Sequence, residues 1–258
     1  MVKSKNTHKY KKAQYDAISH SYTALAQIDP SKQFVQYPET LRLMGDVRGK
    51  LVLDVGCGAG LLTRLIASKG AKVIAYDNST EQIKFALKQN GTANIRYFIA
   101  DSDNIESKIK KAISSFSGFD IAVSTLVLLY AENINHLEEF FQSTYRLLKD
   151  GSRFVSVTFN PEYSNFRVAK YRRIFSKQNS RIKVDFLDEN EHINATALFS
   201  NFSKEDYENA AKKAGFGQLE WVSLNVSKEG MTKMGKEYWT DYKKDSPYIG
   251  FVVTKCSK

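Results

Sequence analysis

Short apolar runs alternate with amphipathic segments along this chain from residue 51 onward. The runs have the length of buried strands, and the segments between them carry apolar residues at helical spacing, as Leu61, Leu62, Leu65 and Ile66 do. The predicted strands are 51–55, 72–76, 95–99, 119–123 and 153–159. The predicted helices are 61–68, 79–90, 105–114 and 136–148. This alternation predicts an α/β fold, a doubly wound and mostly parallel sheet with helices on both faces.

The alternation changes after the fifth predicted strand. Residues 160–201 contain a basic amphipathic segment, 166–175, and two strand-like runs, 182–187 and 193–199, which predict an inserted hairpin. The last predicted elements are a helix at 203–214 and strands at 219–226 and 248–254. We expect these two strands to form an antiparallel edge of the sheet. The first 50 residues look helical, and we expect them to lie outside the sheet.

Composition narrows the class of protein. The chain has 258 residues, of which 42% are hydrophobic, enough for one large domain or one domain with an insertion. It has no run of 18 apolar residues and no signal-peptide pattern, which predicts no membrane span. Because its two cysteines, Cys57 and Cys256, make no disulfide framework, we expect a cytoplasmic protein. The net charge of +10 permits nucleic acid as a partner, and solvated surface explains the same charges.

The stretch from Asp54 to Gly60 carries the most specific chemical signal. It follows the first predicted strand and has the pattern D-x-G-x-G-x-G, and a helix is predicted to begin at Leu61. Glycines at these places let the backbone approach a ligand closely, and the helix N-terminus offers free N–H groups. A dinucleotide-binding turn would need glycine at position 61. A structural turn without a ligand is the alternative.

This turn resembles the S-adenosylmethionine (SAM) loop of class I SAM-dependent methyltransferases. The segments and residues that carry the resemblance are 54–60, Asp77, Asp101, 119–121, 126–131 and 147–151. Segments 235–239 and 246–250 are similar to toxoflavin-synthase-like members of the bacterial small-molecule branch. The resemblance implies a Rossmann-like, seven-stranded sheet with an inserted cap on the substrate side. It also implies SAM as cofactor and S-adenosylhomocysteine (SAH) as product. No cysteine or histidine cluster has metal-ligand spacing, so we expect no metal.

Polar residues at the predicted strand ends give the implied cofactor its contacts. Asp54 can orient the ammonium of the methionine tail or hold the glycine turn, Asp77 can accept the ribose hydroxyls, and Asp101 can accept the adenine amine. Tyr15 and Tyr22 can close over the cofactor as a lid or pack on the sheet. The predicted cofactor-binding residues are Tyr15, Tyr22, Asp54, Gly56, Cys57, Gly58, Gly60, Asp77, Asn78, Asp101, Ser102, Ser124 and Leu126.

The acceptor side of the site is less defined. Methyl transfer needs a general base only if the acceptor loses a proton, and His192 in the predicted hairpin is the candidate. A surface histidine in a turn is the alternative. Tyr130, Phe166 and His192 are the predicted substrate-binding residues, although Tyr130 can equally pack in the core.

The resemblance divides the chain into four parts. They are a helical lid (1–50), a SAM-binding core (51–159), a substrate-cap hairpin (160–201) and the rest of the core sheet (202–258). We expect a methyltransferase that acts on a nitrogen, oxygen or carbon atom of a small molecule, as a monomer or homodimer and without a membrane partner. An RNA or protein methyltransferase that uses 167–177, or a SAM-binding protein without methyl transfer, stays open as an alternative.

Overall fold

The central feature of the computed structural model is a seven-stranded sheet. The structure describes Ala26 and residues 28–89, 93–113, 116–167, 169–242 and 244–257. The strands of this sheet are β1 (Leu51–Val55), β2 (Lys72–Asp77), β3 (Ile95–Ile99), β4 (Phe119–Thr125), β5 (Leu148–Phe159), β10 (Glu220–Ser223) and β11 (Tyr248–Thr254). Their order is β10-β11-β5-β4-β1-β2-β3. Strands β1 to β5 pair in parallel, and β11 pairs antiparallel with β5 and with β10. The predicted fold class and the antiparallel edge are confirmed.

Helices lie in the connections between these strands. A π-helical turn, Lys32–Gln36, leads into the first α-helix. The helices are α1 (Tyr37–Met44), α2 (Leu61–Ser68), α3 (Thr80–Leu87), α4 (Ile105–Ala112), α5 (Ile134–Leu147), α6 (Lys204–Ala214) and α7 (Lys228–Tyr238). Caps that the sequence offers begin several of them: the Ser79 hydroxyl accepts from the Gln82 N–H, and Ser203 and Asp206 form a capping box. Helix α7 was not predicted, because Gly230 and Gly235 interrupt its pattern.

Alternate residues of the central strands enter two hydrophobic clusters on opposite faces of the sheet. Val52 and Val73 belong to one cluster, which α1 and α2 help to complete. Leu53 and Ile74 belong to the other, which α4, α5 and α6 help to complete. Strands that are covered on both faces have this pattern. It explains why the sequences of the parallel strands are continuous apolar runs.

A second sheet, here named the outer sheet, lies in the insertion. Its strands are β6 (Ala169–Lys170), β7 (Arg173–Gln178), β8 (Arg181–Leu187) and β9 (Ile193–Ser200), paired antiparallel in that order. The predicted hairpin of 182–187 and 193–199 is present as β8 and β9. The basic segment 166–175 adds β6 and the start of β7 to that hairpin, so the insertion is larger than a single hairpin. Phe175 and Phe199 join it to Phe159 of β5, with ring centroids 5.0 and 5.1 Å apart.

Strand β5 begins earlier than the predicted 153–159. Leu148 pairs with Phe119 directly after α5 ends, and the pairing shifts register before it resumes at Arg153. Between them the Gly151 N–H donates to the Lys255 carbonyl, and the backbone at Gly151 has a φ of +75°. The predicted Asp150-Gly151 turn is therefore an irregularity within the strand. Strand β10 is shorter than the predicted 219–226.

Candidate functional site

The described residues enclose a cavity of about 610 Å³ at the carboxyl ends of β1, β2 and β4. Its floor is the core: the ends of these strands, the glycine turn after β1 and the loops that follow β3 and β4. Its cover has two sources, the helical segment that includes Lys32 and Tyr37, and the outer sheet, which contributes Arg181, Leu198 and Phe199. Ligands of open α/β sheets bind at this edge. The volume lies in the range of small-molecule sites.

The glycine turn contributes to the cavity through its backbone. Gly58 has a φ of +53°, lines the cavity and donates its N–H to Asp77 Oδ2 at 2.8 Å. A Cβ at Gly58 would meet only Gln82 Oε1, at 3.6 Å, so the space beside this glycine is the cavity itself. Gly60 differs, because a Cβ there would overlap the Tyr97 hydroxyl and because Gly60 does not line the cavity. Gly60 is thus required by packing and by its φ of +74°.

Asp54 is a buried carboxyl group at the end of β1. Its Oδ2 accepts a hydrogen bond from the Thr63 hydroxyl at 2.6 Å, and the residue lines the cavity. Burial raises the pKa of Asp54 to about 7, the Thr63 hydrogen bond opposes this, and the charge of Asp77 adds to the rise. A cation that entered the cavity would favour the ionised form of this carboxyl.

Asp77 holds the glycine turn against the start of α3. Its two carboxylate oxygens accept the N–H groups of Gly58 and Ser79, each at 2.8 Å. A carboxylate has about four acceptor positions, so these two bonds are compatible with hydroxyl donors from a ligand. Cys57 lies between the same elements: it lines the cavity, its N–H donates to the Tyr76 carbonyl, and burial raises the pKa of its thiol.

Asn78, which follows β2, and Asp101, in the loop after β3, lie next to each other. Asn78 Nδ2 donates to Asp101 Oδ2 at 3.2 Å, and both residues line the cavity. The Ser102 N–H donates to Asp101 Oδ1 at 2.8 Å. Ser102 is buried and does not line the cavity, so its N–H is used to position the acid.

His136 is a cavity residue that the sequence reasoning missed. Its Nε2 lies 4.0 Å from Asp101 Oδ1, and its ring stacks on Phe140 with centroids 4.9 Å apart. Its Nδ1 accepts the Glu132 N–H at 3.3 Å, so Nε2 is the ring nitrogen that faces the acid. The sequence signal that could have indicated His136 is Asn133, the N-cap of α5. Its Oδ1 accepts the His136 N–H, and α5 begins beside the loop that follows β4.

The end of β4 places some predicted residues at the cavity and one away from it. Leu126 lines it in a left-handed conformation, with a φ of +57°, and its N–H donates to the Val157 carbonyl. Gly56 and Tyr130 also line it. Ser124 does not, because its side chain is fully buried within the sheet.

Four predicted contact residues lie away from the cavity or outside the described residues. His192 is on the turn between β8 and β9 with its side chain 80% exposed, beside Asp188, and it does not line the cavity. Phe166 packs against Tyr163, under the Lys177 ammonium at 4.9 Å, and also does not line it. Neither residue is part of the cavity wall, and their predicted contacts with a substrate stay predictions. Tyr15 and Tyr22 lie outside the described residues.

The cover contributes residues that no motif indicated. Lys32, Tyr37, Arg181, Leu198 and Phe199 all line the cavity. The ring of Tyr130 meets that of Phe199 edge to face, with centroids 6.1 Å apart. The Ser200 hydroxyl donates to the Ala131 carbonyl at 2.6 Å and fastens the outer sheet to the β4 loop.

A comparison with protein families identifies this architecture. The profile described as "Methyltransferase domain" matches residues 46–219, which include the glycine turn, the strand ends and the outer sheet. The chain belongs to the methyltransferase domain family.

Individual relatives agree with that family assignment. The mitochondrial ubiquinone biosynthesis O-methyltransferase of Mus musculus is 32% identical over 117 residues, which are 43% of this chain and 29% of that protein. The chain spans less than half the length of the first curated relatives it matches.

Solved structures of other proteins share the fold of this chain. A SAM-dependent methyltransferase from Mesorhizobium loti has a TM-score of 0.60 at 18% identity, with 87% of this chain and 97% of that chain covered. Phosphoethanolamine N-methyltransferase 2 of Haemonchus contortus, in complex with SAM, has a TM-score of 0.61 at 18% identity, with 95% and 59% covered. The fold is therefore that of class I SAM-dependent methyltransferases.

The described ranges also bear on metal binding and on membrane crossing. No three histidine, cysteine, aspartate or glutamate side chains in these ranges converge so that they could hold a metal ion. In the same ranges, none of the helices combines the length and apolar character that a bilayer crossing requires.

Proposed function

We propose that this protein transfers a methyl group from SAM to a small-molecule acceptor and releases SAH. The observation that carries the proposal is the cavity at the carboxyl ends of β1, β2 and β4, where the glycine turn, Asp54, Asp77 and Asp101 line one side. SAM supplies an electrophilic methyl group on a sulfonium ion. The family, the fold and this set of residues support it as the cofactor.

The residues of the core fit the parts of SAM. Free N–H groups at the start of α2 and the open space at Gly58 suit the carboxylate of the methionine tail. Asp54 suits the ammonium of that tail, since burial raises the pKa of its carboxyl and no cation is among the groups that shift this pKa. Asp77 has acceptor positions for ribose hydroxyls. Asn78 and Asp101, with His136 beside them, offer donors and acceptors for the edge of adenine.

The cover supports a small acceptor. Tyr37, Tyr130 and Phe199 give the cavity aromatic walls away from the glycine turn. In-line methyl transfer needs chiefly proximity and alignment of the acceptor atom, which an enclosed site provides. The relative from Mus musculus is named an O-methyltransferase of ubiquinone biosynthesis, which favours an oxygen atom as the acceptor.

The basic segment 167–177 gives little support to an RNA or protein acceptor. Arg173 is buried in an ion pair with Asp29, and Lys170 pairs with Asp241 at 2.5 Å. Lys177 lies over the Phe166 ring. These cations therefore stabilise the fold instead of forming an open surface for phosphates.

An acceptor screen tests the proposed function. The protein is incubated with SAM and panels of phenols, amines and carboxylic acids, and SAH and methylated products are followed by mass spectrometry. We expect SAH to form only when an acceptor is present and to match the product mole for mole. If SAH formed with RNA or protein and with none of the small molecules, that result would contradict the small-molecule assignment.

A further inference from the structure

The charged side chains that line the cavity are segregated by sign. The acidic ones, Asp54, Asp77, Asp101 and Glu132, all come from the core side. The basic ones among the described residues, Lys32 and Arg181, both come from the cover. The acidic side suits the ammonium, hydroxyl and amine groups of SAM. The basic side faces the space that remains for the acceptor.

Arg181 is fixed at the point where the outer sheet meets the core. It is the first residue of β8 and pairs with Ser200 of β9. The Ser200 hydroxyl donates to the Ala131 carbonyl at 2.6 Å, next to Tyr130. The adjacent Phe199 meets the Tyr130 ring. The cation is therefore anchored by its strand beside an aromatic wall of the cavity.

The guanidinium of Arg181 differs from three other cations of the outer sheet. Lys170 pairs with Asp241, Arg173 with Asp29, and Lys183 with Asp185. Arg181 forms no ion pair or hydrogen bond through its side chain with any other residue in the part of the chain that the structure describes. Arg181 is exposed and lines the cavity, so its planar donors are open to solvent and to a ligand that enters the cavity.

Lys32 adds a second positive charge to the cover. It is only 6% exposed, and its ammonium lies 5.8 Å from the centroid of the Tyr37 ring. A buried ammonium in a cavity wall strengthens the attraction for an anion, because solvent screens it poorly. Because the carboxylate of SAM is assigned to the start of α2, the anion that would concern Lys32 is one carried by the acceptor.

We propose that the methyl acceptor carries a carboxylate, which Arg181 binds and which the positive charge of Lys32 attracts. The aromatic or apolar body of the acceptor lies against Tyr130 and Phe199. This inference rests on the proposed function and adds the class of acceptor to it. An arginine fork matches a carboxylate in a bidentate pair, which gives orientation as well as affinity. The bound carboxylate would fix which acceptor atom faces the methyl group.

The test uses matched pairs of aromatic acids and their neutral amides. 4-Hydroxybenzoate with 4-hydroxybenzamide, and 3,4-dihydroxybenzoate with its amide, are titrated into the SAH-loaded protein and assayed for turnover with SAM. We expect the acids to bind at least about 10-fold more tightly than the amides. Arg181→Gln should remove this preference and leave the Kd of SAH unchanged.

Matched variants control for the change in net charge and for the cofactor. Lys183→Gln removes the same charge two residues away, on a side chain that pairs with Asp185 and does not line the cavity, so the acid preference should stay. Lys32→Gln should weaken the preference without changing the affinity for SAH. A weaker affinity for SAH in Lys32→Gln would overturn the role given to Lys32.

Other outcomes separate this inference from the proposed function. Equal binding of acids and amides, no binding of any pair to a protein that still binds SAH, or a preference that survives Arg181→Gln would overturn the carboxylate assignment alone. Failure to bind both SAM and SAH would overturn the proposed function, and the carboxylate assignment with it.

Discussion

The two sides of the cavity are built in different ways. On the core side, the acidic residues Asp54, Asp77 and Asp101 lie at or just after the end of a strand and are held by groups close by, as Asp77 is by the N–H groups of Gly58 and Ser79. On the cover side, residues distant in sequence are brought to the cavity by packing and a few polar contacts, such as the bond from Ser200 to Ala131. The core side carries the residues proposed to bind SAM, and the cover carries the residues proposed to contact the acceptor.

Gly58→Val should have the largest effect on the core side. Valine is strained at a φ of +53°, and its side chain would occupy the cavity. We expect the Kd for SAM, measured by calorimetry, to rise by at least about 100-fold, which corresponds to roughly 3 kcal/mol.

The matched control for that variant is Gly49→Val. Gly49 also has a positive φ, +71°, but a Cβ there meets nothing within 4 Å and the residue lies outside the cavity lining. Its valine variant should lose a similar amount of thermal stability and bind SAM normally. Equal loss of SAM binding in both variants would mean that backbone strain, and not occupation of the cavity, is responsible.

Asp77→Ala should have the next largest effect. It leaves the N–H groups of Gly58 and Ser79 without their acceptor, so both the turn and the cofactor site loosen. We expect SAM affinity to fall by about 1–3 kcal/mol, the scale for hydrogen bonds to a charged group, and the melting temperature to fall with it. Asp77→Asn keeps one oxygen acceptor and should lose less. A lower melting temperature with unchanged affinity would show that Asp77 only holds the turn.

The affinity for SAM should depend on pH through Asp54. The pKa of this buried carboxyl is raised from 3.8 to about 7, so acidification protonates it, and a cationic ligand must then displace that proton. Since the ionised form is the one that binds a cation, we expect the Kd for SAM to rise roughly tenfold from about pH 8 to about pH 6. Asp54→Asn should bind more weakly and show no such change. The same pH dependence in wild type and Asp54→Asn would assign it to another group.

His192→Ala should have the smallest effect. The side chain is 80% exposed on the turn of the outer sheet and does not line the cavity. We expect the free energy of unfolding to stay within about 0.5 kcal/mol of wild type, as for most surface substitutions. Turnover and SAM affinity should also stay close to those of wild type. Loss of turnover with normal SAM binding would restore His192 as a base and would require the outer sheet to move during the reaction.

The sequence predicted most of the core side and little of the cover. Asp54, Asp77 and Asp101 follow apolar runs directly, so a local pattern was sufficient to place them at one edge of the sheet. Arg181 and Phe199 could not be found in this way, because the side of the outer sheet that reaches the cavity depends on long-range packing against β5 and the β4 loop. The position of His192 relative to the cavity could not be read from the sequence for the same reason, and its role as a base stays a prediction.

The central claim is that the cavity at the carboxyl ends of the strands binds SAM. Calorimetric titration of the purified protein with SAM and, separately, with SAH tests it most directly, with Gly58→Val titrated in parallel. We expect micromolar binding of both ligands to the wild-type protein and a large loss of affinity for both in the variant. No binding of either ligand to the wild-type protein would contradict it and would leave the glycine turn as a purely structural feature.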